Sequence, residues 1–361
     1  MFITSIFQTM NIYTITYTKG EREMKRALLT TILGGSLILA ACGDNGETEE
    51  SAGTDSSEET AEENDHTEED DETSSDELEE DSDDEEFPVT VEDARGEEVT
   101  LEEEPAEVIS ILPSNTELIY GLDAWDQLSA VTLNDDYPEK VSELDTVGDM
   151  TIDVEQVIAM EPDLVMAGVL NDMDAVGQIE DAGITVVVLE DTNKFDDLYD
   201  VIELAGVVLG KNDEADTMIE DMQSRIEDIR ETGESIPEDE QVSVWVEVGQ
   251  DPLFTTGAGT FLDEMLSLIG AQNAAGEEEL WVQFTEEDAV SLNPDVIVLT
   301  YGAYVESAGQ QVLDRAAWQS VPAVENERVY EFEDANKVNR QGPRLIEGLE
   351  ELAELIYPEH Y

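Results

Sequence analysis

The chain has 361 residues, 92 of them acidic and 15 basic, giving a formal net charge of −77. A polyanion of this density excludes electrostatic capture of nucleic acid or of an anionic membrane surface. Two histidines and one cysteine also leave little support for Ser-His-Asp or Cys-His catalysis or a histidine-rich metal site.

Residues 1–23 carry no targeting logic and read as an upstream extension, with Met24 the expected start. Lys25 and Arg26 then precede a fourteen-residue apolar run, Ala27 to Ala40. Spanning a bilayer takes about 20 residues, so 24–41 reads as a signal peptide. Leu39, Ala40, Ala41 and Cys42 close it with a thiol in a small-residue box. Lipoprotein processing alkylates such a thiol with a diacylglycerol, which makes Cys42 the expected lipidated N-terminus. Residues 42–87 complete the exported leader as an acidic tether. Asp44 to Glu86 holds 24 acidic residues in 43 and no Lys or Arg. A segment this polar cannot bury enough surface to offset ordering, so disorder is expected there.

The remainder still carries 66 acids against 11 bases, an acidic coat suited to a saline or alkaline habitat. Short apolar strands alternate with amphipathic helices: Val108 to Leu112, Leu164 to Ala167, Ile184 to Leu189, Val242 to Val248, Val296 to Thr300 and Val329 to Phe332. This alternation builds parallel sheets, so the fold class is α/β. Between the third and fourth strands, Phe195 to Leu209 and Asp213 to Glu231 read as consecutive helices closed by Gly233 and Pro237. The expected organisation is an N-terminal lobe over 88–194, connecting helices with a long spine over 195–236, and a C-terminal lobe over 237–361.

An internal echo supports two halves. Glu155 to Gly168 reads EQVIAMEPDLVMAG and Glu287 to Gly302 reads EDAVSLNPDVIVLTYG, each a helix stopped by Pro-Asp before a strand. Both lobes therefore present a glutamate, Glu155 and Glu287, near a helix start. There it either caps the helix or faces a common partner.

His66 lies in the tether and His360 beside the C-terminus, and Gly257 and Gly259 in TTGAGT lack the Lys-Ser or Lys-Thr of a phosphate loop. The scarce bases stand out at Arg340 and Arg344 in NRQGPR, where each is either neutralised by carboxylates or turned to a ligand. Tyr137, Phe254, Trp281, Phe284, Tyr301 and Tyr304 fall in expected loops, several after strand ends where open α/β sheets bind ligands.

Together SILPSNTELIY (Ser110 to Tyr120), DDYP (Asp135 to Pro138), Val147 to Asp163 and Gly342 to Glu347 resemble the iron-siderophore and cobalamin group of periplasmic binding proteins, over about 90–361. The resemblance implies two Rossmann-like lobes joined by a single long helix, the class III architecture, with ligand held in the cleft between them. Within the group the chain is most similar to the cobalamin-binding branch. That branch's ligand-contacting loop matches Pro113, Ser114 and Asn115, its cleft aromatics Phe254 and Trp281, and its late basic position Arg340. Tyr137 of DDYP and Tyr304 add to the expected ligand set. The family's permease-docking glutamates match Glu155 and Glu287. The chain departs from the branch at Asn134 and Gly168, where the branch carries aromatics.

The resemblance implies an exported receptor, lipid-anchored on the outer face of the cell membrane and working as a monomer with an ABC permease and ATPase. Its cargo would be cobalamin or a related corrinoid, with a ferric hydroxamate siderophore as the alternative. No catalytic residue, cofactor or resident metal is implied. An exported hydrolase using two carboxylates and a surface adhesion module are the competing classes.

Overall fold

The structure, a computed structural model, describes residues 87–361. The upstream extension, the signal peptide, Cys42 and nearly all of the acidic tether lie outside the described residues. A hairpin of β1 (Val89–Glu92) and β2 (Glu98–Leu101) opens the domain, with Val89 opposite Leu101. Its turn is held by buried Asp93, whose carboxylate accepts from Arg95 Nε at 2.9 Å and from Val188 N at 3.2 Å.

The N-terminal lobe is a parallel sheet of five strands: β3 (Val108–Ser110), β4 (Leu128–Val131), β5 (Asp145–Thr146), β6 (Leu164–Gly168) and β7 (Val186–Leu189), in the order β5-β4-β3-β6-β7. Helices α1 (Pro113–Gly121), α2 (Val154–Met160) and α3 (Met173–Asp181) connect its strands. Strands β3, β6 and β7 are buried along their whole length, which explains their unbroken apolar reading. Ile109, Val165, Val186 and Val188 pack there with Val157 of α2 and Val176 and Ile179 of α3.

Helix α4 (Phe195–Leu209) buries Leu198, Val201, Ile202, Ala205 and Val208 along one stripe, packs on α1 and β1, and ends at left-handed Gly210. Helix α5 (Asn212–Ser235) is the spine. Its 24 residues reach about 36 Å at 1.5 Å per residue. It packs on α4 at one end and, in the second lobe, on α6 (Phe261–Leu268) and on the last helix, Leu345–Ile356. Gly233 does not close this helix, as the sequence suggested, but lies buried inside it. A Cβ there would run into the Leu268 carbonyl, so glycine sets how closely the spine seats on the second lobe.

The C-terminal lobe has β8 (Ser243–Gln250), β9 (Leu253–Thr256), β10 (Gln272–Asn273), β11 (Trp281–Phe284), β12 (Val296–Leu299) and β13 (Val329–Glu331). Its order is β11-β9-β8-β12-β13, with β10 also on β8. The pairs β8–β12 and β12–β13 are parallel, while β9 and β11 add an antiparallel extension. Helices α7 (Glu286–Ser291), α8 (Ala308–Leu313), α9 (Pro322–Glu325), α10 (Asn336–Asn339) and α11 (Leu345–Ile356) complete the lobe. The echoed segments take equivalent places: α2 leads into β6 beside β3, and α7 into β12 beside β8.

Several expected loop aromatics are placed otherwise. Phe254 lies in β9, and Trp281 and Phe284 in β11. Phe284 meets buried Trp245 edge-to-face, with ring centroids 5.3 Å apart, and Tyr301 is buried. Segments this short and mixed in polarity become strands only by pairing, β9 with the long β8 and β11 with β9.

Candidate functional site

A parallel sheet brings all its carboxyl-terminal strand ends to one edge, where α/β folds bind ligands. In both lobes the loops leaving those ends carry the unusual surface residues. The large hydrophobic side chains exposed among the described residues are Leu133 (68%), Met150 (60%), Leu170 (47%) and Tyr304 (64%). They follow β4, β5, β6 and β12 respectively. Buried Glu247 supports the Tyr304 turn from below: it accepts from Arg315 at 2.6 and 2.7 Å, from the Tyr301 hydroxyl at 2.6 Å and from Trp245 Nε1 at 3.2 Å. That bidentate pairing consumes one of the few arginines.

The two edges face each other across a latch of charged groups. Arg340 Nη1 donates to Glu117 of α1 and to Asp136 after β4, each at 2.7 Å, and Nη2 to the Asn134 carbonyl at 3.2 Å. Arg344 reaches Glu117 at 3.3 Å, pairs with Asp334, and lies 4.0 Å over the Tyr137 ring. Asn336 Nδ2 donates to Asp136 at 3.1 Å. Burial pushes the Glu117 carboxyl up, against the pull of Arg340 and Arg344. Neutralisation by carboxylates is thus the state of Arg340 and Arg344, and one face of Tyr137 is covered by a guanidinium. The expected ligand roles of Arg340 and Tyr137 therefore compete with a lobe-to-lobe contact.

Pro113, Ser114 and Asn115 form the first turn of α1, entered from extended Leu112 and started by proline at a position where its missing N–H costs nothing. Ser114 and Asn115 line a pocket with Leu112, the loop Gly168–Leu170, the segment Leu189–Thr192 and Gln341 from the other lobe. It is a narrow crevice of about 20 Å³, room for about one water. At Gly168 a Cβ would lie 2.7 Å from Leu112 Cδ2, so an aromatic there would displace Leu112. Asp191 is pushed up to about 6, first by burial and then by the charge of Glu190.

Phe254 and Trp281 share one sheet face, since Trp281 pairs with Thr256 and Gln283 with Phe254. Both are half-buried, and the opposite face holds Phe284 against the core. Glu155 and Glu287 are exposed in the first turns of α2 and α7. The caps themselves are other residues: Asp153 accepts from Gln156 N, and Thr285 from Asp288 N. Each helix precedes a parallel strand and runs back along it, so both glutamates start at the carboxyl-terminal strand edge. Leu133, Met150, Leu170, Glu117, Asp191, Thr192 and Gln341 were not singled out from sequence. The apolar ones had a usable signal, a large hydrophobic residue just beyond a strand end.

The family profile described as "Periplasmic binding protein" matches residues 108–335. A Bacillus subtilis (strain 168) relative named "Uncharacterized ABC transporter substrate-binding lipoprotein YvrC" is 44% identical over 281 residues, 77% of this chain and 88% of its own. A vitamin B12-binding protein of Pectobacterium carotovorum is 29% identical over 247 residues, 67% of this chain and 85% of its own. Among solved structures, a possible iron-binding periplasmic solute-binding protein of Staphylococcus epidermidis superposes with a TM-score of 0.64 at 27% identity, over 71% of this chain and all of its own. With two sheet lobes joined by one spine helix, the chain belongs to the periplasmic binding protein family, whose members are the substrate-binding proteins of ABC transporters and not enzymes.

Proposed function

We propose that this protein is an exported, lipid-anchored receptor that captures cobalamin or a related corrinoid in the cleft and hands it to an ABC permease and its ATPase. The observation that carries the reading is the grouping of Leu133, Met150, Leu170 and Tyr304 on the strand-end edges of the two lobes. A soluble protein gains nothing by exposing these side chains together unless a large, partly apolar ligand covers them. Phe254 and Trp281, half-buried on one strand face, would add aromatic area. Pro113, Ser114 and Asn115 would orient the cargo, and Glu155 and Glu287 would meet basic residues of the permease. The lipid on Cys42 would hold the receptor to the outer face of the membrane, with 42–87 as its tether.

The relation to a possible iron-binding protein favours a ferric hydroxamate as the second reading. The deciding experiment is a titration of the detergent-solubilised mature protein with cyanocobalamin, followed by tryptophan fluorescence and calorimetry at fixed salt. Saturable one-to-one binding is expected. Absence of binding, with saturation by ferrioxamine, replaces the cargo and keeps the receptor.

A further inference from the structure

Helix α1 and the segment Arg340–Arg344 form a second seam between the lobes, besides the spine. The contacts on α1 fall at Ser114, Glu117 and Gly121, three and four residues apart and so on one face of the helix. A Cβ on Gly342 would lie 3.6 Å from the Ser114 carbonyl oxygen, and a Cβ on Gly121 would lie 3.3 Å from Pro343 Cγ. Between these close approaches sits Glu117, 1% exposed, with Arg340 Nη1 at 2.7 Å and Arg344 Nη1 at 3.3 Å. Both arginines reach the same oxygen, Oε1, while Oε2 is inaccessible and has no hydrogen-bond partner. Glu247, whose pair with Arg315 lies within one lobe, uses both oxygens. Buried ion pairs add little net stability over apolar packing, and their best-attested use is to fix register. A buried carboxylate shared this thinly between two arginines of the other lobe is better suited to set a spacing than to hold a core.

The seam ends at an exposed hydrophobic residue on each lobe. On the first lobe Arg340 holds the Asn134 carbonyl and the Asp136 carboxylate, directly after Leu133. On the second, Asn336 donates to Asp136 at 3.1 Å and its Oδ1 lies 3.4 Å from the Tyr304 hydroxyl. We propose that Glu117 is the positioning residue of the cleft: by holding Arg340 and Arg344 it fixes the separation of the two strand-end edges before cargo arrives. The proposal rests on the reading that cargo is held between those edges. A receptor whose lobes sample several separations binds through the competent fraction alone, so its apparent affinity falls in proportion to that fraction. Glu117 therefore acts on cargo without touching it, through the loop that carries Leu133 and the turn that carries Tyr304.

The test reads the lobe separation directly, on the detergent-solubilised mature protein without cargo. Glu143 and Glu306, exposed in the first and second lobes, are replaced by p-acetylphenylalanine and spin-labelled at the ketone, which leaves Cys42 alone. Double electron–electron resonance should give one narrow distance distribution for the parent and a broadened one for E117Q, with matching far-ultraviolet spectra. Without the labels, E117Q should bind cyanocobalamin about threefold or more weakly than the parent. A merely structural Glu117 would lower stability and leave the distances alone. A folded E117Q with the parent's distances overturns the proposal, and so does a broadened one whose affinity falls less than about threefold. If E117Q does not fold, R340A and R344A replace it, each leaving Glu117 one arginine, and parental distances in both overturn the proposal. If the parent binds no cyanocobalamin, ferrioxamine is the probe. If neither binds, the cargo reading falls by itself and the distances alone decide the role of Glu117.

Discussion

Asp191→Asn is expected to stabilise the protein, and only above acid pH. The Asp191 carboxyl shifts from 3.8 to about 6 on folding, burial being the main cause and the Glu190 charge the second. Below 3.8 the group is protonated in both states and adds nothing. Between 3.8 and about 6 the folded state holds the proton more tightly, so stability falls as pH rises, and above about 6 the full penalty applies. Two units at 1.36 kcal/mol each set the ceiling near 3 kcal/mol, and local relaxation brings the expected value to about 1–3 kcal/mol. Asparagine has nearly the same shape and no charge. Urea unfolding at pH 3, 6 and 8 should therefore show the variant close to the parent at pH 3 and more stable at pH 8. Comparing variant with parent at each pH cancels the general repulsion among the other acids. A benefit independent of pH, or a loss at pH 8, would refute the argument.

Arg315→Ala leaves Glu247 buried with only Tyr301 and Trp245 as partners, and should cost about 3–5 kcal/mol in urea unfolding, with less than 1 kcal/mol contradicting the network. Arg340→Ala should cost about 1–3 kcal/mol, because Glu117 retains Arg344, while changing cyanocobalamin affinity less than about threefold. A larger affinity loss in a folded variant would return Arg340 to the ligand site. Trp281→Ala should weaken cyanocobalamin by roughly 1–3 kcal/mol through lost buried area, and an unchanged dissociation constant would place Trp281 outside the cleft. Reversing both Glu155 and Glu287 to Arg should abolish cargo uptake in cells at unaltered cargo affinity, and normal uptake would remove the docking assignment.

Much of the fold was legible because its main strands are buried on both faces and its helices bury a single stripe. Phe195–Leu209 and Leu345–Ile356 follow directly from that periodicity. Among the strands that escaped notice, β4, β9 and β11 are four residues each and include Ser129, Thr255 and Gln283. Their strand character comes from neighbours far away in the chain, which no local pattern records. The site was legible only as a set of loops after strands. Ser114 and Asn115 were named only through the resemblance to the cobalamin-binding branch, whose ligand-contacting loop they match. Asp191 and Glu117 were hidden among the 66 acids of residues 87–361, since what distinguishes them is burial.

The scarcity of free cations narrows the cargo further than shape does. Residues 87–361 hold 11 bases, and nine of them have internal partners. Arg95, Arg225, Arg230, Arg315, Lys337, Arg340 and Arg344 pair with carboxylates, Arg328 donates to the Ile356 carbonyl, and Lys140 sits 4.1 Å over the Trp125 ring. The two arginines nearest the cleft are those of the latch, so freeing either for an anion would strip Glu117 of a partner while it remains 1% exposed. Leaving such a carboxylate with one partner fewer costs about 1–3 kcal/mol, a large part of the free energy of a millimolar ligand at about 4 kcal/mol. Salt screens exposed charges beyond about 8–10 Å, but it does little for groups this buried. An anionic complex would therefore have to bring its own compensation. A neutral corrinoid or hydroxamate needs none, and the apolar rim would act on it without a cationic clamp.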